Sequence, residues 1–304
     1  MEKNEFRLAL LHPRYWLTWI GMGLWCLISQ LPYRVQLWLG SMLGRLSFNL
    51  AKDRRRIAAR NLELCFPDMD ARARKKLLKA NFKSTGIALM ETGMAWFLPH
   101  WRLRRLYTIE GLEHLHSADG RGNVMLSMHF TTLDIGAAFF NMSATMDGMY
   151  RPHKNPVYDY VQRLGRERHN ANSDVIERKD VRMMIRSLKK GRAVWYAPDQ
   201  DYGPKQSVFV PFFGVPAATV TGTAKFAKLG NARVVPFTQT RLPGGQGYKV
   251  TVHPPLENYP CGDDELDAAR INGFVEQQVR RHPEQYLWAH KRFKTRPPGE
   301  PKLY

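Results

Sequence analysis

The sequence lacks most features that would assign a chemistry quickly. Its three cysteines, Cys26, Cys65 and Cys261, stand far apart in 304 residues. They show no metal-ligand spacing and no disulfide framework, which reads as a reducing compartment and no zinc site. No Gly-x-Ser-x-Gly elbow occurs, so serine hydrolase chemistry lacks its nucleophile. A P-loop is missing, as is a Gly-x-Gly-x-x-Gly after a strand, so a nucleotide has no phosphate cradle. Acids are scarce: 27 Asp and Glu face 46 Lys and Arg, a formal net charge of +19. Such a balance points to a polyanionic partner, whether nucleic acid, an anionic membrane face or a phosphorylated substrate. Internal repeats and low-complexity tracts are also absent. The length suits one large α/β domain or two small ones.

One long apolar run does occur. Residues 15–31 (YWLTWIGMGLWCLISQL) carry no charge, and at 17 residues they meet the lower limit for crossing a bilayer. Trp16, Trp19, Trp25 and Trp38 crowd the same region, and Trp favours the membrane interface. Residues 35–50 form a more amphipathic apolar segment, suited to lying on a membrane surface. These features predict an N-terminal anchor over residues 1–50, with a transmembrane helix, ahead of a domain at 51–304. The alternative is a buried helical hairpin. The basic run at 52–60 (KDRRRIAAR) suits anionic headgroups beside such an anchor.

Beyond residue 70 the pattern predicts a long amphipathic helix over 70–93 and a strand at 107–110. Strand and helix signals then alternate, with strands at 124–128, 145–150, 193–197, 233–240 and 248–253. Helices are expected at 156–168, 181–190, 219–229 and 264–281. This order predicts an α/β fold, a mostly parallel central sheet flanked by helices with an antiparallel edge hairpin.

The chain is organised around residues 124–136 (VMLSMHFTTLDIG). A short apolar strand ends at His129, Thr131 or Thr132 can cap a helix, and Asp134 falls in that helix's first turn. Such a corner lifts an imidazole to the rim of a parallel sheet, where α/β proteins usually hold ligands. A carboxylate on one ring nitrogen would leave the other as a base, and Asp134 is near enough in sequence for that role. The spacing alone is weak: His114/Asp119 and His169/Asp174 share it, and roughly one match is expected by chance. Only the middle pair follows an apolar strand; its bland reading is a surface His beside a helix-capping Asp.

Three further constellations stand out. Arg166 and Arg168, with Arg151 upstream, supply planar forks for an anionic group, or ordinary surface charge. Asp199 and Asp201 follow the strand at 193–197 and suit orienting a base, an arginine or a metal, or closing a turn. Residues 209–216 (FVPFFGVP) are apolar enough to wall a fatty chain, although core packing is the more frequent use.

Several long words in the chain carry a family likeness: LHPRYWLTW, NLELCFP, METGMAWF, MHFTTLD, YRPHKNP, LGRER, WYAPDQDYGP and PEQYLWAHKRFKTRP. Over nearly its whole length the chain resembles the late lipid A acyltransferases of Gram-negative bacteria, the lauroyl and palmitoleoyl transferases acting on a Kdo-bearing precursor. The resemblance implies acyl transfer from an acyl carrier protein thioester to a hydroxyl on an acyl chain of Kdo-lipid IVA. It places the enzyme at the inner membrane, with its catalytic domain on the cytoplasmic side. It implies that His129 is the base and that Asp134 orients it, where many relatives carry Glu. It also marks Arg166 and Asp199 as important, with Arg168 and Arg151 as basic neighbours that hold the substrate. No metal or cofactor is expected, and no nucleic acid. The Glu-Gly-Thr-Arg phosphate motif of glycerophosphate acyltransferases is absent. Two rivals remain at this level: a non-enzymatic binder of nucleic acid or anionic lipid, and a thioesterase in which the same His activates water.

Overall fold

The computed structural model describes residues 6–304. Short apolar strands separated by amphipathic helices build a seven-stranded sheet, in the order β1-β9-β8-β2-β5-β3-β4. The strands are β1 (Tyr107–Glu110), β2 (Asn123–Leu126), β3 (Met146–Tyr150), β4 (Val175–Glu177), β5 (Ala193–Tyr196), β8 (Arg233–Arg241) and β9 (Tyr248–Val252). Five of them, β8, β2, β5, β3 and β4, run parallel. β9 returns antiparallel to β8 and carries β1 parallel to itself. The mostly parallel sheet is as expected, but the antiparallel hairpin lies one strand inside the edge. All four residues of β2 are buried, as a central parallel strand covered on both faces must be.

One face is covered by α4 (Ala71–Phe97), α6 (Leu133–Asn141) and α7 (Pro156–Glu167), around a core that includes Met125, Phe139 and Phe237. The other face is covered by α8 (Val181–Lys189), α9 (Gly222–Gly230) and α10 (Asp264–Arg281), on Leu126, Met184 and Val234. The remaining strands, β6 (Ser207–Phe212) and β7 (Val215–Val220), pair as a separate antiparallel hairpin. This corrects two expectations. The helix foreseen from residue 219 begins at Gly222, because residues 215–220 are strand. The apolar stretch at 209–216 is that hairpin, with Phe212, Phe213 and Ala217 packed on Trp288 and Phe293 in a core cluster. It does not line the cavity described below.

The N-terminal segment departs further from expectation. Helix α1 (Trp16–Ser29) has 14 residues, and α2 (Tyr33–Leu50) has 18. At 1.5 Å per residue α1 is about 21 Å long, short of the ~30 Å hydrocarbon core of a bilayer. Among the described residues no helix is long and apolar enough to cross a membrane, so the expected transmembrane helix is not supported. The buried-hairpin alternative fails as well. Leu17, Ile20, Leu24 and Leu27 on α1, and Trp38, Leu46 and Leu50 on α2, are all exposed. They recur at helical spacing, so each helix presents an apolar stripe outward. The inward side of α2 is small: Gly40 and Gly44 meet Gly86 of α4 backbone to backbone, and a Cβ at Gly86 would lie 2.2 Å from the Gly40 carbonyl oxygen. Next in the chain, α3 (Lys52–Cys65) carries the basic run.

Candidate active site

β2 ends at Leu126 and the backbone turns through Ser127 and Met128 to His129 at the carboxyl edge of the sheet. A C-terminal segment clamps this corner. Leu287 N–H donates to the His129 carbonyl at 3.0 Å, Thr131 N–H donates to the Gln285 carbonyl at 2.7 Å, and Phe130 forms an antiparallel bridge with Tyr286. The threonines serve other ends than capping: the Thr132 hydroxyl donates to the Gln239 carbonyl and Thr131 meets Ser84.

The imidazole is held by Asp199, not by Asp134. β5 lies beside β2 in parallel register, so the residues just beyond their carboxyl ends are neighbours. One Asp199 oxygen accepts the His129 backbone N–H at 2.9 Å, and the other lies 2.6 Å from Nδ1. The ionised carboxylate only accepts, so the network places the proton on Nδ1 and leaves a lone pair on Nε2. Nε2 has no protein partner among the described residues, and the ring lines the cavity. Burial pushes the Asp199 carboxyl up, but the attraction and hydrogen bonds of His129 outweigh it and leave it below the usual range. The Trp195 ring stands edge-on to the imidazole, with centroids 6.0 Å apart.

Asp134 does fall in the first turn of α6, as expected, but turns to α7. Arg166 Nε and Nη2 both donate to its Oδ1, at 3.0 and 2.8 Å, and the Thr92 hydroxyl approaches Oδ2 at 3.5 Å. The orienting role assigned to Asp134 is therefore corrected. Asp134 lines the same cavity as His129, but its carboxylate is taken by Arg166 while Nδ1 is taken by Asp199. Arg166 and Asp134 form one ion pair in the cavity wall, each side chain about one-quarter exposed.

The two other arginines separate. Arg168 donates to the Trp96 carbonyl at 2.7 Å and braces α7 against α4, while burial lowers its pKa. It does not line the cavity, so its expected substrate role gives way to a structural one. Arg151 is exposed at the cavity wall just beyond β3. Asp201 accepts the Gly203 N–H, closing a turn, and also accepts the Thr295 N–H and hydroxyl. Behind the site His290 Nε2 accepts the Asp201 N–H, and burial lowers its pKa to about 4.

The cavity measures about 610 Å³, within the usual range for small-molecule sites. It runs between α4, α6 and α7 and the sheet face formed by β3 and β5. Apart from His129, Asp134, Arg151 and Arg166, most of its walls are apolar or small, including Ala88, Leu89, Ala137, Met146 and Trp195. Sequence reasoning passed over Trp195 and the clamp at 285–287. The first stood inside a strand of unassigned neighbours, and the second lies more than 150 residues from His129 in a stretch without periodicity. Among the described residues, no three His, Cys, Asp or Glu side chains cluster as a metal site would require.

Comparison with known proteins adds a second line. The family model described as bacterial lipid A biosynthesis acyltransferase matches residues 3–295. A lipid A biosynthesis lauroyltransferase of Escherichia coli K12 is 49% identical over 99% of this chain and 98% of its own length. A palmitoleoyltransferase of the same pathway and strain is 45% identical over the same shares. A myristoyltransferase of that strain is 32% identical over 99% of this chain and 94% of its own length.

Proposed function

Because this chain belongs to the bacterial lipid A biosynthesis acyltransferase family, we propose that it moves a fatty acyl group from an acyl carrier protein thioester to a hydroxyl on an acyl chain of Kdo-lipid IVA. The observation that carries the mechanism is the unpartnered Nε2 of His129, aimed into an apolar cavity while Asp199 holds Nδ1. The acceptor hydroxyl gives its proton to Nε2 as its oxygen attacks the thioester carbonyl. The carbon–sulfur bond then breaks, and the imidazolium returns the proton to the departing thiolate. Asp199 stays ionised and stabilises the imidazolium. Arg166, set in the wall by Asp134, and Arg151 at the rim supply positive charge for the anionic groups of the acceptor.

The surface supports a membrane setting. The outward stripes of α1 and α2, from Leu17 to Leu50, form an apolar face beside the cationic α3. This arrangement suits helices lying in a bilayer interface with basic residues toward anionic headgroups. We therefore propose that the described residues 6–50 hold the protein in a membrane interface and not across it, with the family resemblance suggesting the cytoplasmic side of the inner membrane; residues 1–5 of the expected anchor lie outside the described residues. The basic surface also suits acidic acyl carrier protein.

The test is an assay of full-length protein in detergent with acyl-loaded carrier protein and Kdo-lipid IVA, products weighed by mass spectrometry. Acylated lipid from wild type and its loss in His129→Ala are expected. Free fatty acid without acylated lipid would make the enzyme a thioesterase and overturn the reading.

A further inference from the structure

Two wall positions of the cavity, Gly148 and Gly165, have no side chain. By the two-residue alternation of a strand, β3 presents Met146, Gly148 and Tyr150 to the same face, and all three line the cavity. Glycine inside a strand weakens it, and usually marks a bulge or a place where a ligand or another backbone comes close. Gly148 lies in unbroken register with both neighbouring strands, so there is no bulge. Its φ is not in the left-handed region, so the backbone does not demand glycine. No other chain segment crowds it: a Cβ built there meets no atom within 4 Å. Gly165, by contrast, would strike Trp96 at 2.4 Å and Gly136 would strike Gln239 at 2.5 Å; those two are packing glycines. What remains for Gly148 is the cavity itself.

Its place along the cavity is also defined. Gly148 pairs with Trp195 on one side and Val175 on the other, and both line the cavity. Trp195 is the residue whose ring meets His129. The Gly148 backbone therefore lies one strand spacing, about 4.8 Å, beyond that of Trp195, on the side away from β2 and His129. An extended chain with its carbonyl at His129 crosses the Trp195 edge and then passes over Gly148. Ala137 and Ala138 of α6, both with short side chains, line the same cavity.

We propose that Gly148 sets the length of the linear acyl chain taken from the thioester donor: its missing side chain is the space that the distal methylenes fill. The inference rests on the acyl-transfer reading above. It makes residue 148 a specificity determinant that touches the donor chain and takes no part in the proton transfer. A side chain at 148 enters open space, so its main effect is to remove cavity volume from long donors. A single methylene misfit in an apolar pocket discriminates by about 10–200-fold.

The experiment uses full-length wild type, Gly148→Ala and Gly148→Leu in detergent. Each receives Kdo-lipid IVA and an equimolar mixture of even-numbered saturated acyl carrier protein thioesters, and lipid products are weighed. The readout is a product ratio within one reaction, so overall rate does not enter it. Gly148→Leu is expected to raise the short-to-long product ratio by about tenfold or more, and Gly148→Ala to shift it less in the same direction. Should the leucine variant prove unfolded by thermal melting, the alanine variant decides. A wild-type product distribution from a folded variant, or an equal loss at every chain length, overturns the proposal. Wild-type protein that acylates no lipid from any donor would instead overturn the acyl-transfer reading itself.

Discussion

Asp199 engages His129 twice, and this double contact makes a sharp prediction. Both carboxylate oxygens accept, one from the backbone and one from Nδ1–H. An asparagine has one acceptor and one donor, so one of the two contacts becomes donor against donor, or the ring takes the wrong tautomer. Asp199→Asn is expected to lower kcat by about 10²–10⁴-fold, comparable to His129→Ala, the usual contribution of a general base. Because the two residues act as a unit, the double variant should be little worse than either alone. Steady-state rates of folded variants check this, and fully multiplicative losses would show that Asp199 acts apart from His129. Asp134 and Arg166 form a second unit. Asp134→Asn and Arg166→Ala should show a coupling of about 0.5–3 kcal/mol in a double-mutant cycle of kcat/KM. Arg168→Ala should show none with Asp134, since its contact is the Trp96 carbonyl. The histidine was legible in sequence because a strand-to-helix corner is a local signal. Its partner was not: the His-x4-acid spacing pointed to Asp134, while Asp199 reaches the ring only through strand pairing 70 residues away.

The N-terminal helices show how far composition alone can be trusted. An uncharged run of 17 residues reads as a span, yet α1 occupies only Trp16–Ser29. A 3-10 turn at Pro13–Tyr15 precedes it, and Pro32 stands as the N-cap of α2. Proline cannot continue a helix, so the apolar helix is cut to 14 residues. Leu17→Asp combined with Leu24→Asp should weaken binding to anionic vesicles, with little change in melting temperature, because both side chains are exposed. Undiminished cosedimentation with vesicles would remove the interfacial reading. The inner face behaves oppositely. Gly86→Leu has no room against Gly40 and Gly44 and should destabilise by about 1–3 kcal/mol or more, read as a lowered Tm. The β6–β7 hairpin escaped the sequence reading for a related reason. Its two-residue turn is Phe213-Gly214, both with positive φ. The usual hairpin signals are Asn-Gly or Asp-Gly, and phenylalanine rarely takes that conformation. Burial against Trp288 and a hydrogen bond from Phe213 N–H to Glu276 hold it there.

Across the whole molecule, buried polar groups tie the layers together and set the response to acid. Glu91 of α4 pairs with Arg241 at the end of β8, with nitrogen–oxygen distances of 2.6 and 2.8 Å, and accepts the Tyr248 hydroxyl from β9. Removing one partner of such a buried pair typically costs about 3–5 kcal/mol. His169 and His290 are both lowered to about 4, chiefly by burial. An unfolded histidine binds protons from about pH 6.5. Between that value and about 4 the unfolded chain therefore holds more protons than the folded one, and stability falls as pH falls. Their contribution is complete above about pH 6.5. Tm should drop steadily from pH 7 to pH 4, and His169→Gln should flatten part of the slope. A Tm constant over that window would show that neither ring resists protonation.

The amino-acid sequence by itself determined the α/β class, most strand and helix positions, the histidine at the strand end, the basic α3 and the family. Each of these is carried by neighbours in the chain: hydrophobic period, caps, proline and glycine stops, or long shared words. Only the tertiary structure decided which acid holds His129, that Arg166 and Asp134 are one pair, that Arg168 is a brace, and that α1 and α2 turn their apolar stripes outward. It also decided that Gly148 faces a cavity while Gly165 is packed solid. These outcomes depend on strand order and on which helix covers which face of the sheet. Such contacts join residues 30 to 150 positions apart, and local pattern carries no record of them.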